Sequence, residues 1–229
     1  MQFDIFTLFP DIIDSYKGES IIRRAIDAGV LRVHSHNIRD WAHDKHSTVD
    51  NVPYGGGAGM VMKVEPIYRA ICDCSLFEIK TTERGLVHSD KQRIILLSAK
   101  GERFTQQKAQ ELAQYEHIML ICGRYEGVDE RVTTYIADEE ISIGEYVLTG
   151  GEIPALVLLD AVARLHKGVL GNVESLKEES FTTGHPKEYP HYTRPAVFSP
   201  KPGVEWKTPD ILLSGNHQEI QKWRQQDSR

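Results

Sequence analysis

Two glycine-bearing loops carry many of the side chains that could do chemistry in this 229-residue chain. One is CGRYEGVDER, after the apolar run HIMLIC, and the other is SIGEYVLTGGE, which follows the strand-like segment EEISI. Glycine lets backbone amides approach a ligand without a Cβ in the way, and in open α/β sheets ligands bind beyond the carboxyl ends of strands. Either loop alone would be an ordinary tight turn. Together, rich in Arg, Glu, Tyr and Asp, they predict a ligand site.

Other chemical patterns in the sequence fit less well. The glycine cluster YGGGAGM lacks the register of GxGxxG and does not follow a strand, and no Walker sequence is present. His34, His36, His43 and His46 lie near acidic residues, but zinc ligands usually come from convergent rigid elements. We therefore favour a solvated polar loop over a metal site there. The three cysteines have neither metal spacing nor an activating partner, so they are predicted to be free thiols.

The elements that must position the two loops alternate between strands and helices, which predicts an α/β sandwich with a mainly parallel sheet. Strands are predicted at QFDIFT, LRVHSHN, RIILLS and HIMLIC, and one amphipathic helix is predicted from Pro10 to Gly29. Thr105 is a predicted helix cap. Segment 38–62 is predicted to be a long irregular loop, and 81–90 a polar connection.

The chain divides by composition into three predicted parts. Residues 1–166 form the larger α/β domain with both glycine-bearing loops, and 167–190, with several Gly and Pro and no sustained period, form a linker. Residues 191–229 form a small helical C-terminal domain. In that domain Thr208 is a predicted cap, and Asn216 with Glu219 makes a capping-box pattern.

Composition sets the broad class of the protein. Hydrophobic residues make up 40% and charged residues 26%, which is globular usage. The apolar runs are too short to cross a bilayer and the N-terminus lacks a basic n-region, so we expect a soluble, cytoplasmic protein with no membrane partner. The net charge is −6, yet residues 185–229 hold seven basic against five acidic side chains. That excess permits RNA binding without indicating it.

Four segments carry a family resemblance: DKHSTVDNVPYGGGAGM, CGRYEGVDER, SIGEYVLTGGEIPALVLLDAVAR and PHYTRP. In order and spacing they resemble the TrmD family, the bacterial tRNA (guanine-N1) methyltransferases of the SPOUT superfamily, over nearly the whole chain. The resemblance implies a SPOUT-type sheet with a C-terminal trefoil knot, which general folding rules argue against. It also implies methyl transfer from S-adenosylmethionine to N1 of guanosine 37, in tRNAs with guanosine at position 36, which helps to maintain the reading frame.

The resemblance implies that the loops of the knot bind S-adenosylmethionine. The matching positions are Leu96, Leu97, Ser98, Gly123, Ile143, Gly144, Glu145, Tyr146, Val147, Leu148, Gly150 and Gly151. Simple core packing is the alternative for the side chains of Ile143, Val147 and Leu148.

Two catalytic residues are implied by the same match. Arg164 matches the family's essential arginine and would stabilise charge on guanine O6; a surface helix arginine is the alternative. The base falls at Glu179, because this chain has EESF where members typically have EEDSF. Glutamate is longer by about one bond, and a ~1 Å misplacement can cost ~100-fold in rate. Glu178 or an altered linker path are the alternatives.

The resemblance also implies substrate contacts, an ion and a partner subunit. The implied tRNA contacts are Asp50, Gly59, Arg124, Tyr125, Glu126, His191, Tyr192 and Arg194. Mg²⁺ is implied without a located site, although Glu126 could help to hold it. Homodimers with shared active sites are implied as well.

Two further departures from the family pattern bear on function. The linker reads one residue longer before PHYTRP, and the chain ends at QQDSR, short of the family's usual final helical segment, so we expect reduced tRNA affinity. A catalytically impaired RNA-binding protein of the same fold is therefore the second hypothesis, and a metal-dependent hydrolase is the third.

Overall fold

The computed structural model describes residues 1–170, 181 and 189–227, with side chains of the last helix up to residue 224. These residues belong to two compact units, Met1–Gly171 and Asn172–Arg229. Among the helices in these ranges, none is both long and apolar enough to cross a membrane.

A five-stranded sheet forms the centre of the first unit. Its strands are β1 (Gln2–Thr7), β2 (Arg32–Asn37), β7 (Gln92–Arg103), β8 (His117–Cys122) and β9 (Glu139–Ser142). The order across the sheet is β2-β1-β8-β7-β9, and all four pairings are parallel. The prediction of an α/β fold with a mainly parallel sheet is confirmed. The central strands β1 and β8 are buried along their whole length, as their continuous apolar runs indicate.

Helices cover both faces of the sheet. They are α1 (Pro10–Lys17), α2 (Ser20–Asp27), α3 (Val64–Cys74), α4 (Gln106–Leu112), α5 (Glu130–Tyr135) and α6 (Glu152–Ala163). One core cluster holds Phe3, Ile5 and α6 residues such as Leu159. The other holds Phe6, Met119 and α3 residues such as Ile67. Thr105 caps α4 as predicted, since its side chain accepts a hydrogen bond from Lys108 N at 3.2 Å.

Several predictions for this unit were wrong in detail. The single helix expected from Pro10 to Gly29 is two helices, because Ser20 has φ +55° and the α-helical geometry of α1 cannot continue through it. The polar connection 81–90 contains strands β5 (Lys80–Thr82) and β6 (Gly85–Val87), which form a hairpin with few buried side chains to mark it. The loop 38–62 contains a 3₁₀ helix (Ile38–Trp41) and the short pair β3 (Asp50–Asn51) and β4 (Val61–Met62).

A register shift between β7 and β9 shapes the sheet edge near the predicted ligand loops. Ile141 of β9 pairs with both Leu97 and Glu102 of β7, so the residues between them bulge out of the ladder. Gly101 lies in this bulge, where an added Cβ would stand 2.5 Å from the carbonyl carbon of Glu140. Only glycine allows the two backbones to approach this closely.

The second unit is not purely helical, so that prediction was wrong in part. Strands β10 (Val197–Lys201) and β11 (Val204–Lys207) form an antiparallel hairpin, with a Phe198–Trp206 ring pair at 5.6 Å across it. Helices α7 (Asp210–Leu213) and α8 (His217–Asp227) follow. Pro209 rather than Thr208 is the N-cap of α7, whereas Asn216 Oδ1 does accept from Glu219 N at 3.4 Å, as the capping-box pattern predicts.

Candidate active site

A cavity of about 430 Å³ opens at the carboxyl ends of β7, β8 and β9. Its walls come from the bulge of β7, the loop that follows β8, and the loop between β9 and α6. The chain order reverses here, because β9 lies on the far side of β7 from β8. Strand ends at such a switch point are where open α/β sheets bind ligands, and this volume is within the range of small-molecule sites.

The residues predicted to bind the cofactor meet at this cavity, with one exception. Those that line it are Leu96, Leu97, Ser98, Gly123, Ile143, Gly144, Tyr146, Val147, Leu148, Gly150 and Gly151. Glu145 does not line it, and its side chain is exposed at the turn between Gly144 and Tyr146. The turn is tight, since Tyr146 N donates to Gly144 O at 3.0 Å, and this directs the residue between them outward.

The loop before α6 lies directly on the end of β8. Gly151 N donates to Gly123 O at 2.9 Å, and a Cβ on Gly151 would stand 2.6 Å from Cys122 Cα. Both glycine-bearing loops are thus held together by backbone contact. Glycine is required at position 151 because any side chain there would separate the two loops.

An ion pair locks the same two loops together beside the cavity. Glu152, in the first turn of α6 and 1% exposed, lies with Oε2 at 2.9 Å from Arg124 Nη2, while Oε1 accepts from Arg124 Nε at 3.1 Å. Thr7 Oγ1, at the end of β1, donates to Glu152 Oε1 at 2.6 Å. The Phe9 ring lies 4.5 Å from the guanidinium. Arg124 also donates to Thr149 O at 3.2 Å, so its direction is fixed on several sides.

The buried thiol of Cys122 next to this pair is not a nucleophile. Complete burial, with the nearby Glu152 carboxylate, raises the pKa of Cys122 well above its usual range. The thiol therefore stays protonated at neutral pH, which agrees with the predicted absence of an activated cysteine. All three cysteines are free thiols, as predicted.

Most of the predicted tRNA contacts in the first unit gather on one side of the cavity. Arg124, Tyr125 and Glu126 line it. Gly59 touches the Glu126 side chain, because Glu126 N donates to Met60 O at 3.0 Å and draws the two loops together. Asp50 does not line the cavity, and it pairs with Met62 across the β3–β4 ladder.

Tyr125 is held in an unusual backbone conformation on this side. Its φ is +60°, in the left-handed region that costs a non-glycine residue about 1–3 kcal/mol. Its ring is 46% exposed, and its hydroxyl lies 3.5 Å from Arg39 Nη2. Strained backbone is frequent at functional sites, and Tyr125 stays a predicted tRNA contact.

The predicted catalytic residues do not meet at this cavity. Arg164 is the C-cap of α6, about 18 Å along the helix from Glu152 at ~1.5 Å per residue, and it does not line the cavity. Glu179 and its alternative Glu178 lie outside the described residues. His191, Tyr192 and Arg194 belong to the second unit. There the ring of His191 lies 4.7 Å from that of Tyr189.

Several lining residues were not predicted from the sequence. Among them are Lys100 and Glu140, which face each other with 4.0 Å between Nζ and Oε1. Within the described part of the chain Glu140 Oε1 is buried and makes no hydrogen bond, so the Lys100 ammonium is the charge that balances it. In the sequence Glu140 directly precedes the ISIG loop, and this position could have marked it as a site residue. Thr7 and Phe9, which support the Arg124–Glu152 pair, had no such signal.

Comparison with known proteins identifies the family. A family model described as "tRNA (Guanine-1)-methyltransferase TrmD" matches residues 1–229. The chain belongs to the TrmD family. A protein of Citrifermentans bemidjiense named tRNA (guanine-N(1)-)-methyltransferase is 52% identical over 227 residues, which cover 99% of this chain and 84% of the relative. Proteins of the same name from Geotalea uraniireducens and Brevibacillus brevis are 52% and 47% identical over 228 residues, or 85% and 86% of their lengths.

The family match includes the whole candidate site of this TrmD-family chain. Both glycine-bearing loops, the cavity they form and the second unit all fall within the matched residues. The family was recognised correctly from the four sequence segments. The role of each site residue stays a prediction.

We predict that Glu152→Gln destabilises this TrmD-family protein by about 1–3 kcal/mol, because a buried ion pair loses its carboxylate and an amide N–H must face the Arg124 guanidinium. Urea unfolding followed by circular dichroism measures this change. The matched control is Glu130→Gln: Glu130 pairs with Lys100 on the surface, with side chains 69% and 61% exposed. Its loss should cost no more than about 0.5 kcal/mol. Equal effects of the two substitutions would contradict the prediction.

Proposed function

We propose that this protein transfers a methyl group from S-adenosylmethionine to N1 of guanosine 37 in tRNA, beside the anticodon. The proposal is carried by one observation: in a TrmD-family chain, the two glycine-bearing loops and the end of β7 enclose a single cavity. The relatives' shared name, tRNA (guanine-N(1)-)-methyltransferase, supports the class of substrate and the atom that is methylated. Methylation there helps to maintain the reading frame.

The cavity suits S-adenosylmethionine in its size and in its chemistry. Leu96, Leu97 and Ile141 supply an apolar wall for an adenine ring, while the glycine backbone of the two loops supplies hydrogen-bonding groups. Lys100 and Glu140 add one charge of each sign to the lining, which suits the polar parts of the cofactor. When bound, S-adenosylmethionine supplies an electrophilic methyl group on a positively charged sulfur.

The proposed fold around this cavity includes a trefoil knot of the SPOUT type. Support comes from the way the loop before α6 returns to the end of β8, where Gly151 and Gly123 are hydrogen-bonded. A loop that must cross another segment this closely requires glycine at the crossing. The register shift at Gly101 provides a second close contact at the same end of the sheet.

The chain's own residues have two tasks in the proposed reaction. Guanine N1 carries a proton at neutral pH, so a base must accept that proton as the nitrogen forms its bond to the methyl carbon. We assign this role to Glu179. Negative charge develops on O6 at the same time, and the Arg164 guanidinium would stabilise it.

A homodimer with shared active sites would bring these groups together. Arg164 lies at the opposite end of α6 from the cavity of its own chain, so a second subunit is needed if it is to reach a bound guanine. Helix α6 also exposes Ile153 (53%) and Val157 (38%), and the cavity loop exposes Val147 (87%). Adjacent exposed apolar side chains of this kind are typical of a surface that a partner covers.

The proposed tRNA contacts use both units. In the first unit Arg124 and Tyr125 stand at the cavity, where a guanidinium and an aromatic ring suit a base splayed from its stack. In the second unit Tyr192 and Trp206 are 49% and 62% exposed. Exposed aromatic faces stack on unpaired bases of any sequence.

The proposal also includes a metal ion and a cellular compartment. The Glu126 carboxylate faces the cavity and is the kind of oxygen ligand that Mg²⁺ prefers, so we propose that it helps to hold this ion. Because the proposed substrate is tRNA, we propose that the protein acts in the cytoplasm.

The proposed activity predicts transfer of one methyl group to tRNA that carries guanosine at positions 36 and 37, and none when position 37 is adenosine. Incubation with radiolabelled S-adenosylmethionine, followed by nuclease digestion and chromatography for 1-methylguanosine, measures this. Calorimetry of S-adenosylmethionine binding belongs to the same experiment. Binding of tRNA and cofactor without transfer would contradict the proposal in favour of an RNA-binding protein of the same fold. Absence of cofactor binding would also contradict it.

We predict that Glu179→Gln slows single-turnover methyl transfer by about 100-fold or more, because the amide cannot accept the N1 proton. The matched control is Glu178→Gln, which removes the neighbouring carboxylate and should leave the rate within about twofold. The two enzymes should bind tRNA equally. A near-normal rate for the Glu179 variant would overturn its assignment as the base, and a slow Glu178 variant would transfer that role to Glu178.

The shared active site predicts that two inactive variants restore each other when their subunits are mixed. Glu126→Gln alters the cavity side of a site, and Glu179→Gln alters the side that we propose comes from the linker of the second subunit. Refolding equal amounts of the two together should give about one quarter of the wild-type activity, because half of the dimers are mixed and each has one intact site. Activity no higher than that of either variant alone would contradict a site built from two subunits.

A further inference from the structure

A second group of polar side chains lies on the sheet away from the cavity and plays no part in the proposed reaction. Asp4 of β1 is 1% exposed, and His34 and His36 come from the neighbouring strand β2. Asp4 pairs in register with His34, and the side chains at His34 and His36 point to the same face because residues two apart in a strand do so. None of the three lines the cavity.

The three side chains direct their ligand atoms at one point. Asp4 Oδ1 is 3.2 Å from His34 Nδ1 and 2.5 Å from His36 Nε2. All three atoms lie within 4.8 Å of one another. Ligands about 2.1 Å from a tetrahedral zinc ion are about 3.4 Å apart, so a shift of about 1 Å at His36 would admit the ion.

The other oxygen of Asp4 is held by two further contacts, so Oδ1 is the oxygen that faces the two histidines. Gln2 Nε2 donates to Asp4 Oδ2 at 2.7 Å, and His117 Nε2 lies 2.6 Å from the same oxygen. His117 is completely buried. Carboxylates that bind metals are typically held in this way by a second layer of hydrogen bonds.

The other ring nitrogen of His117 is held by a polar contact with Gln92. Its amide faces His117 Nδ1 at 3.0 Å and Ser75 Oγ at 2.6 Å, and Ser75 Oγ donates to Phe77 O at 2.8 Å. The amide atom on this side is Gln92 Oε1, which accepts the hydrogen bond from Ser75 Oγ. These contacts fix the plane of the His117 ring, so His117 Nε2 stays directed at Asp4 Oδ2.

The two histidine ligands have suitable surroundings for their remaining nitrogens. His36 Nδ1 lies 3.8 Å from Cys74 Sγ, a weak acceptor for its N–H. The His36 ring is also stacked on Phe6, with 5.0 Å between centroids, which fixes its plane. The His34 side chain is 50% exposed, so water can complete the coordination from that side.

We propose that Asp4, His34 and His36 form a binding site for a zinc-class divalent transition metal that joins β1 to the edge strand β2. Two imidazoles and one carboxylate favour Zn²⁺ and its neighbours over Mg²⁺, which prefers oxygen ligands. The site is separate from the proposed Mg²⁺ contact at Glu126. Its role would be to stabilise the sheet edge, since an ion bound only by the folded protein favours the folded state.

The test uses the full chain freed of metal with a chelator and then dialysed. Competition for Zn²⁺ against a chromophoric chelator should give one site per chain, and Co²⁺ should give the visible spectrum of a low-symmetry nitrogen and oxygen site. Zn²⁺ should also raise the melting temperature. These readouts do not depend on methyl transfer, so they can fail while the proposed function holds.

Two ligand variants and a matched control make the test specific. His34→Gln and His36→Gln should each weaken Zn²⁺ binding at least ~10-fold and remove the thermal shift. His43→Gln removes an exposed histidine outside the group and should change neither. Because His34 is half-exposed, its variant keeps the fold, which circular dichroism checks. No stoichiometric binding by the wild type, or equal binding by all three variants, would overturn the proposal.

Discussion

The close backbone contact between Gly151 and the end of β8 is the constraint on which the candidate site depends. With an added Cβ only 2.6 Å from Cys122 Cα, the loop before α6 has no room to lie elsewhere once the Gly151–Gly123 hydrogen bond forms. This contact places the first turn of α6 beside the loop that follows β8, so Glu152 reaches Arg124. The cavity is the space that remains between these loops and the bulge of β7.

The buried carboxylate of Glu152 fixes the positions of the two loops that meet at this contact. A charge that is 1% exposed is costly unless it is paired, and here one guanidinium and one hydroxyl both contact the carboxylate. The cost is offset only when Thr7, Arg124 and Glu152 are in place together. The ends of β1 and β8 and the start of α6 are therefore coupled, and Arg124 is oriented before any ligand arrives.

The sequence predicted the elements whose patterns are local and strong. HIMLIC is a buried strand because every residue in it faces a packed layer, and Thr105 caps α4 because its hydroxyl needs only the next turn. The hairpins of β5–β6 and β10–β11 could not be predicted in this way. Their side chains are mostly exposed, so no buried face marks them in the sequence, and cross-strand contacts such as Phe198–Trp206 stabilise the second hairpin.

In the candidate site, too, residues within local motifs could be predicted and residues that depend on strand order could not. Eleven of the twelve predicted cofactor positions line one cavity, and eight of them belong to the two glycine-bearing loops that local motifs mark in the sequence. Thr7 and Glu140 depend on which strands become neighbours, and strand order is not written in any local pattern. Asp4 and His34 show the same limit. They are 30 residues apart in the chain and adjacent only because β1 and β2 are parallel partners in that register. Two histidines separated by one residue on an edge strand do not by themselves indicate a metal site. Here the register of β1 and β2 places the buried carboxylate of Asp4 beside both of them, and only this pairing makes them candidate ligands.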